Sequence, residues 1–259
     1  MTTATEQMQD TTAAKPNGSQ QPAQPPLYQN PCPINKERHA TAGLRTSTNL
    51  DFARGINSVI LTLDEIAEAA RSYPIVFTND QEAPRPIAVL SLGKGNSFIT
   101  KDSKWDEAHY VPSYIRRYPF GMATVPGSED LALCIDENAP HFMAENADIR
   151  LFDDEGNASN LTNDALQFCM RYQKVDAETI AYGKALKEAD LLHLQNLEIS
   201  LKSGGKHVIE NLQLLHNDRW HNFAKSNANS WEEKGYLALT VLILASQGNW
   251  KYLLSRSGE

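Results

Sequence analysis

The sequence predicts an α+β fold: a curled antiparallel sheet or barrel-like sandwich followed by a helical C-terminal lobe. Between residues 57 and 152, short runs of β-branched and aromatic side chains alternate with short, turn-rich connections, and no helix-length segment separates them. Parallel crossovers need such a segment, so the pairing is antiparallel. After Gly156 the apolar spacing changes to a helical period. The 259 residues are enough to bury a self-sufficient core.

Residues 1–26 are rich in Thr, Gln, Ala and Pro and read as a disordered tail, because they cannot bury enough surface to offset the entropy of ordering. The folded part begins near Leu27 or Tyr28, and Pro31 and Pro33 favour an extended start. From Asn57 to Ala70 a short strand leads into a short helix, with Thr62 or Asp64 able to cap the turn between them. Tyr73–Thr78 and Arg85–Leu92 form a strand pair joined by the NDQEAP turn. Gly93 and Gly95 then suit a tight turn with positive φ before a third strand at Ser97–Thr100. Phe120–Val125 and Asp130–Ile135 make a further pair around PGSED.

Ser159 and Asp176 are expected to cap two successive helices, and Leu197–Ile209 to fold as a hairpin around Ser203-Gly204-Gly205. Helices follow at Glu210–Ala224, Trp231–Ser246 and Asn249–Leu254. The expected organisation is a β-rich part over 27–156 and a mainly helical part over 157–259, packed as one compact unit. No repeat is visible, which excludes solenoids and propellers.

A net charge of -8 opposes nucleic acid as the partner. Cys32, Cys134 and Cys169 form no disulfide framework, so a reducing, cytoplasmic setting is expected. The N-terminus lacks the basic and apolar regions of a Sec-type signal. The apolar run Tyr236–Ala245 is about half the ~20 residues needed to span a bilayer, so membrane insertion is not expected. That run is apolar almost all round, which implies burial in the chain's own core or a homo-oligomer interface through the C-terminal helices.

The richest chemistry lies in His109–Phe120, where Arg116 and Arg117 stand among Tyr110, Tyr114 and Tyr118. Guanidinium forks grip carboxylates or phosphates, and tyrosine offers a flat face with a polar tip. With Pro112 and Pro119 favouring extension, the two arginines should leave opposite sides of the segment. Arg117 is then the structural one, paired with a carboxylate, while Arg116 shares a ligand-binding face with Tyr114 and Tyr118. His39 and Arg45 are candidates to join that surface.

No metal or other cofactor is expected. His216 and His221, five apart, point about 140° from one another on an ideal helix, His207 lies on the preceding hairpin, and no recognised ligand motif occurs. Asp153–Asn157 reads as an exposed turn rather than a calcium loop. Ser128 lacks a nucleophile elbow, and Cys134 reads as a small buried hydrophobe, a catalytic pairing with a spatial histidine such as His141 or His109 being the alternative.

Several strings together carry a family resemblance: NPCPINKERH (Asn30–His39), YPIVF (Tyr73–Phe77), the Trp105–Phe120 run, LCIDE (Leu133–Glu137) and LFDDEG (Leu151–Gly156). In this order they resemble the SapC family, which is named from surface-layer protein loci and brings no established catalytic motif. The resemblance implies an accessory or adaptor protein of a bacterial surface or envelope system, binding a peptide, a protein or a small anionic ligand. The alternative is an enzyme with an arginine-lined anion cleft and a histidine or carboxylate for proton transfer. A structural subunit of a surface assembly is a third reading.

Overall fold

The computed structural model describes residues 27–124, 130–200 and 206–257. The expected tail, the Pro126–Glu129 turn with Ser128, and the Ser203–Gly205 turn lie outside them. The N-terminal strands are β1 (Pro31–Pro33), β2 (Gly43–Leu44) and β3 (Ser58–Ile60), followed by the short helix α1 (Ile66–Ala69). Next come β4 (Ile75–Phe77), β5 (Pro86–Val89), the helical turn α2 (Ser113–Arg116), β6 (Phe120–Thr124), β7 (Leu131–Asp136), β8 (Phe142–Met143) and β9 (Ile149–Arg150). Helix α3 (Asn160–Glu188) leads to the hairpin β10 (Leu192–Ser200) and β11 (Lys206–Leu215), then α4 (Asn217–Glu233), α5 (Tyr236–Ser246) and α6 (Trp250–Ser257).

The fold is α+β with antiparallel pairing throughout the named strands and no closed barrel. A five-stranded sheet has the order β10-β11-β4-β5-β3, and two three-stranded sheets have the orders β1-β7-β6 and β8-β2-β9. The large sheet therefore draws strands from both the N-terminal and the C-terminal parts of the chain. Ile75, Val76 and Phe77 of β4 are all fully buried, the signature of a strand covered on both faces. Tyr182 of α3 lies against Phe77, and Ser246 at the end of α5 accepts a bond from the Ile75 N–H at 3.0 Å. Gly183 lets α3 lie directly on the loop before β5, since a Cβ there would meet the Pro84 carbonyl oxygen at 1.8 Å.

Several local expectations are met. Ser159 caps α3 by accepting the Thr162 N–H at 3.4 Å, Gly95 takes φ +93°, and Asp80 closes the NDQEAP turn by accepting the Glu82 and Ala83 N–H groups. Leu197 and Ile209 pair across the hairpin. The Asp153–Asn157 segment is a turn in which the Asp153 carboxylate takes the Glu155 and Asn157 N–H groups.

Others are corrected. The two helices expected after Gly156 are one, because nothing between Tyr172 and Asp176 breaks it, and Asp176 forms an ion pair with Arg85 in mid-helix instead of capping. Glu210–Leu215 is strand, since β11 pairs with β10 on one side and β4 on the other, and tertiary pairing overrides local spacing. Gly235, at φ +71°, separates α4 from α5, so Trp231 belongs to α4. The third strand at Ser97–Thr100 shrinks to the bridge Ile99↔Trp105. There Asn96 and Thr100 side chains bond nearby backbone N–H groups and compete with a ladder. Among the described residues no helix is long and apolar enough to cross a membrane. Thr240, Ile243 and Ser246 bury one side of α5 in the core, while Val241 stays exposed.

A candidate binding cleft at Arg116

The segment expected to be extended turns into helix at α2, just after Pro112, whose carbonyl accepts the Ile115 and Arg116 N–H groups at 2.9 and 3.0 Å. A proline immediately before the first turn suits a helix start. Arg116 and Arg117 still diverge, but by the rotation of a helical turn and not by strand alternation. Arg116 is exposed, and Arg117 points into a box of rings.

Arg116 is held by three protein oxygens. Its Nε donates to the Val111 carbonyl at 3.0 Å, and its Nη2 donates to the Tyr110 and Ser113 hydroxyls at 2.7 Å each. Its guanidinium also lies over the Tyr110 and Phe168 rings. None of these bonds uses Nη1. Beneath it sits Glu65, a carboxylate only 2 % exposed. Glu65 Oε2 accepts the Thr62 N–H at 2.9 Å and the Thr62 hydroxyl at 2.7 Å, and Oε1 accepts the Tyr110 hydroxyl at 3.1 Å and the Ser113 N–H. A buried charge is tolerable when its lone pairs are filled in this way. Burial, with the Glu65 carboxylate next, raises the Tyr110 pKa, so this phenol stays protonated and passes a donor to Glu65 while accepting from Arg116.

Tyr110 is itself fixed from behind. The Tyr73 hydroxyl donates to its carbonyl, and Trp105 Nε1 donates to the Tyr73 hydroxyl at 3.2 Å. The cleft above these groups encloses about 300 Å³. Thr62, Asp64 and Glu68 line it from the segment around α1, and Phe168, Arg171 and Tyr172 line it from α3. Asp64 and Arg171 join these two segments through a 3.0 Å ion pair. The lining carries Arg116 and Arg171 against Asp64, Glu65 and Glu68, so it presents both signs of charge beside aromatic faces.

A family model described as SapC matches residues 34–253. The chain belongs to the SapC family. No curated protein and no solved structure matches it. The matched span of this SapC-family chain holds every residue of the cleft, and its recognisable strings are physically joined. Tyr73 of YPIVF supports Tyr110, and Asp136 of LCIDE, fully buried, accepts the Tyr118 hydroxyl at 3.2 Å together with the Gln29 and Asn30 N–H groups at 2.9 Å.

The other expected site residues go elsewhere. Among the described residues Arg117 has no carboxylate partner on its guanidinium. It lies over the rings of Tyr172, Tyr114 and Tyr28 at 4.2, 4.7 and 5.6 Å, and its Nε is buried without a hydrogen bond. Tyr114 therefore sides with Arg117, and Tyr118 is a core residue, so the expected Tyr114–Arg116–Tyr118 face does not form. Arg45 Nη2 reaches Met143 Sδ. His39 is fully buried beside Cys32 and Glu137. Cys134 bonds toward the Ala132 carbonyl, and the thiol that meets a histidine is Cys32. His216 caps α4, accepting the Arg219 N–H, and its ring lies tilted against that of His193.

Two groups escaped sequence reasoning. Glu65 had a signal, the T-x-x-E spacing from Thr62, which marks a capping box but not a support for Arg116. The Cys32–His39–Glu137 cluster is the group among the described residues whose ligand atoms could hold a metal ion.

Proposed function

We propose that this SapC-family chain is a binding protein, an accessory or adaptor that takes a peptide segment at the Arg116 cleft on behalf of a bacterial surface or envelope system. The observation that carries the reading is Arg116 itself, fixed by three oxygens in an exposed cleft with Nη1 left over. A pre-set guanidinium loses little entropy when it takes a carboxylate. Asp64 and Glu68 opposite it suit an ammonium group or a basic side chain, and Phe168, Tyr110 and Tyr172 suit apolar contact. Glu68 is paired with Arg71 and Asp64 with Arg171, so the lining presents both signs of charge side by side, which suits a ligand carrying both better than a bare small anion. The envelope context rests on the family resemblance, and three free cysteines support a reducing compartment.

The enzyme reading has less support. Among the described residues no histidine lines the cleft, and both oxygens of Glu65 are already filled by donors, which leaves that carboxylate ill suited to proton transfer. The test is an NMR titration of the full chain with short peptides bearing free termini, against the same peptides acetylated and amidated, and against acetate. Free peptides should shift the Arg116 Nε–H and Phe168 ring signals, capped forms should bind at least tenfold more weakly, and Arg116→Ala should abolish the response. Unmoved signals across the whole peptide set would refute the reading, and so would equal binding of free and capped forms.

A further inference from the structure

Apart from the cleft, β1 and the turn after it bring a thiol, an imidazole and a carboxylate together. Cys32 pairs with Ile135, which sets it beside the end of β7 and so beside Glu137. The Asn35 side-chain oxygen accepts the Glu37 and Arg38 N–H groups, and the resulting turn swings His39 back under Cys32. His39 Nε2 then lies 3.9 Å from Cys32 Sγ and 3.2 Å from Glu137 Oε1. All three candidate ligand atoms fall within 4.8 Å of one another.

Those spacings are close to what a tetrahedral metal imposes. Zinc bonds of about 2.3 Å to sulfur and about 2.0–2.1 Å to nitrogen and oxygen give S···N edges of about 3.5 Å and N···O edges of about 3.3 Å. We propose that Cys32, His39 and Glu137 form a binding site for one Zn²⁺, with the fourth position left to water or an external ligand. Thiolate, imidazole and carboxylate together suit zinc and exclude magnesium or calcium as the preferred ion. The surroundings serve the ligands as well. His39 Nδ1 lies 3.0 Å from the Asn35 N–H and 3.1 Å from the Asn35 carbonyl, so either tautomer has a backbone partner, and binding of the metal at Nε2 selects the one that donates to the carbonyl. Arg38 holds Glu137 through Nε at 2.7 Å and Nη2 at 2.5 Å, orienting the carboxylate and offsetting part of its charge.

The rival reading, a catalytic thiol, fits less well. Cys32 and Glu137 both face the same imidazole nitrogen, whereas a relay needs the carboxylate on the far one. Sequence spacing could not show this site, because Glu137 is remote and Cys32 and His39 form no recognised ligand motif. It stands independently of the peptide cleft.

The full chain, stripped with chelator and dialysed, would be titrated with Zn²⁺ against a chromophoric competitor and with Co²⁺ as a spectroscopic probe. One equivalent should bind, Co²⁺ should give a near-ultraviolet thiolate charge-transfer band, and Cys32→Ser should lose the band and at least tenfold in affinity. Cys134→Ser should change neither. Zn²⁺ should also slow alkylation of Cys32 at least tenfold in the unmodified sequence, a readout that needs no variant. Failure of the unmodified chain to take up the ion saturably overturns the site, as does undiminished binding by Cys32→Ser.

Discussion

Arg116 and Arg117 are neighbours in sequence and live in opposite environments. The first is surrounded by oxygen atoms at the edge of solvent, the second by three tyrosine faces in the interior. One helical turn is enough to separate them, and the contrast shows that arginine here serves two kinds of chemistry. Hydrogen-bonded positioning leaves donors for a guest. Stacking uses the flat guanidinium as packing material between α3 and the N-terminal segment.

The largest effect should come from removing the support under Arg116. Glu65→Ala would strip the Thr62, Tyr110 and Ser113 donors of their acceptor in a buried place and cost about 3–5 kcal/mol by urea denaturation. A loss under about 1 kcal/mol would mean that the cleft is not a pre-set scaffold. Arg117→Ala comes next, at about 2–3 kcal/mol, from lost ring contacts and packing. Arg117→Lys should recover only part of this, since a point charge cannot stack as a plane does. Full recovery by lysine would show that charge, not shape, matters there. Arg116→Ala should stay within about 1 kcal/mol, as expected of an exposed side chain, while peptide binding disappears.

The smallest effect is a pH dependence with a histidine behind each arginine site. His109 packs on Tyr73, which supports Tyr110, and His141 packs on Tyr118. Burial, opposed in part by Asp106 and Asp136 respectively, holds both below the usual histidine value of 6.5. The unfolded chain thus binds protons first, so stability is full above pH 6.5 and falls as the pH drops through that value toward the depressed folded ones. The slope cannot exceed about 1.4 kcal/mol per pH unit for each proton. Urea midpoints between pH 8 and pH 5 should show the fall, and His109→Gln and His141→Gln should each flatten it. A flat profile in the unmodified chain would contradict both burials.

How much of this could be read in advance depended on whether the deciding interaction was local. The Ser159 cap, the Asp80 turn and the hairpin about Leu197 and Ile209 are set by residues a few positions apart, and each was legible. The stretch Glu210–Leu215 was not, because what makes it strand is β4, far away in sequence. At the site, the divergence of the two arginines was foreseen for the wrong reason, since Pro112 can begin a helix as readily as hold an extended chain. The rings around Arg117 come from Tyr28, Tyr114 and Tyr172, which no spacing rule unites.

The pairing of Phe77 with Gln213 joins residues more than half the chain apart. During synthesis β4 therefore leaves the ribosome with an apolar, unpaired edge long before β11 exists to cover it. The sheet is completed only once β11 has been made. Nascent chains stalled before residue 206 should bind chaperones through that edge, and chains extended past residue 215 should lose that binding.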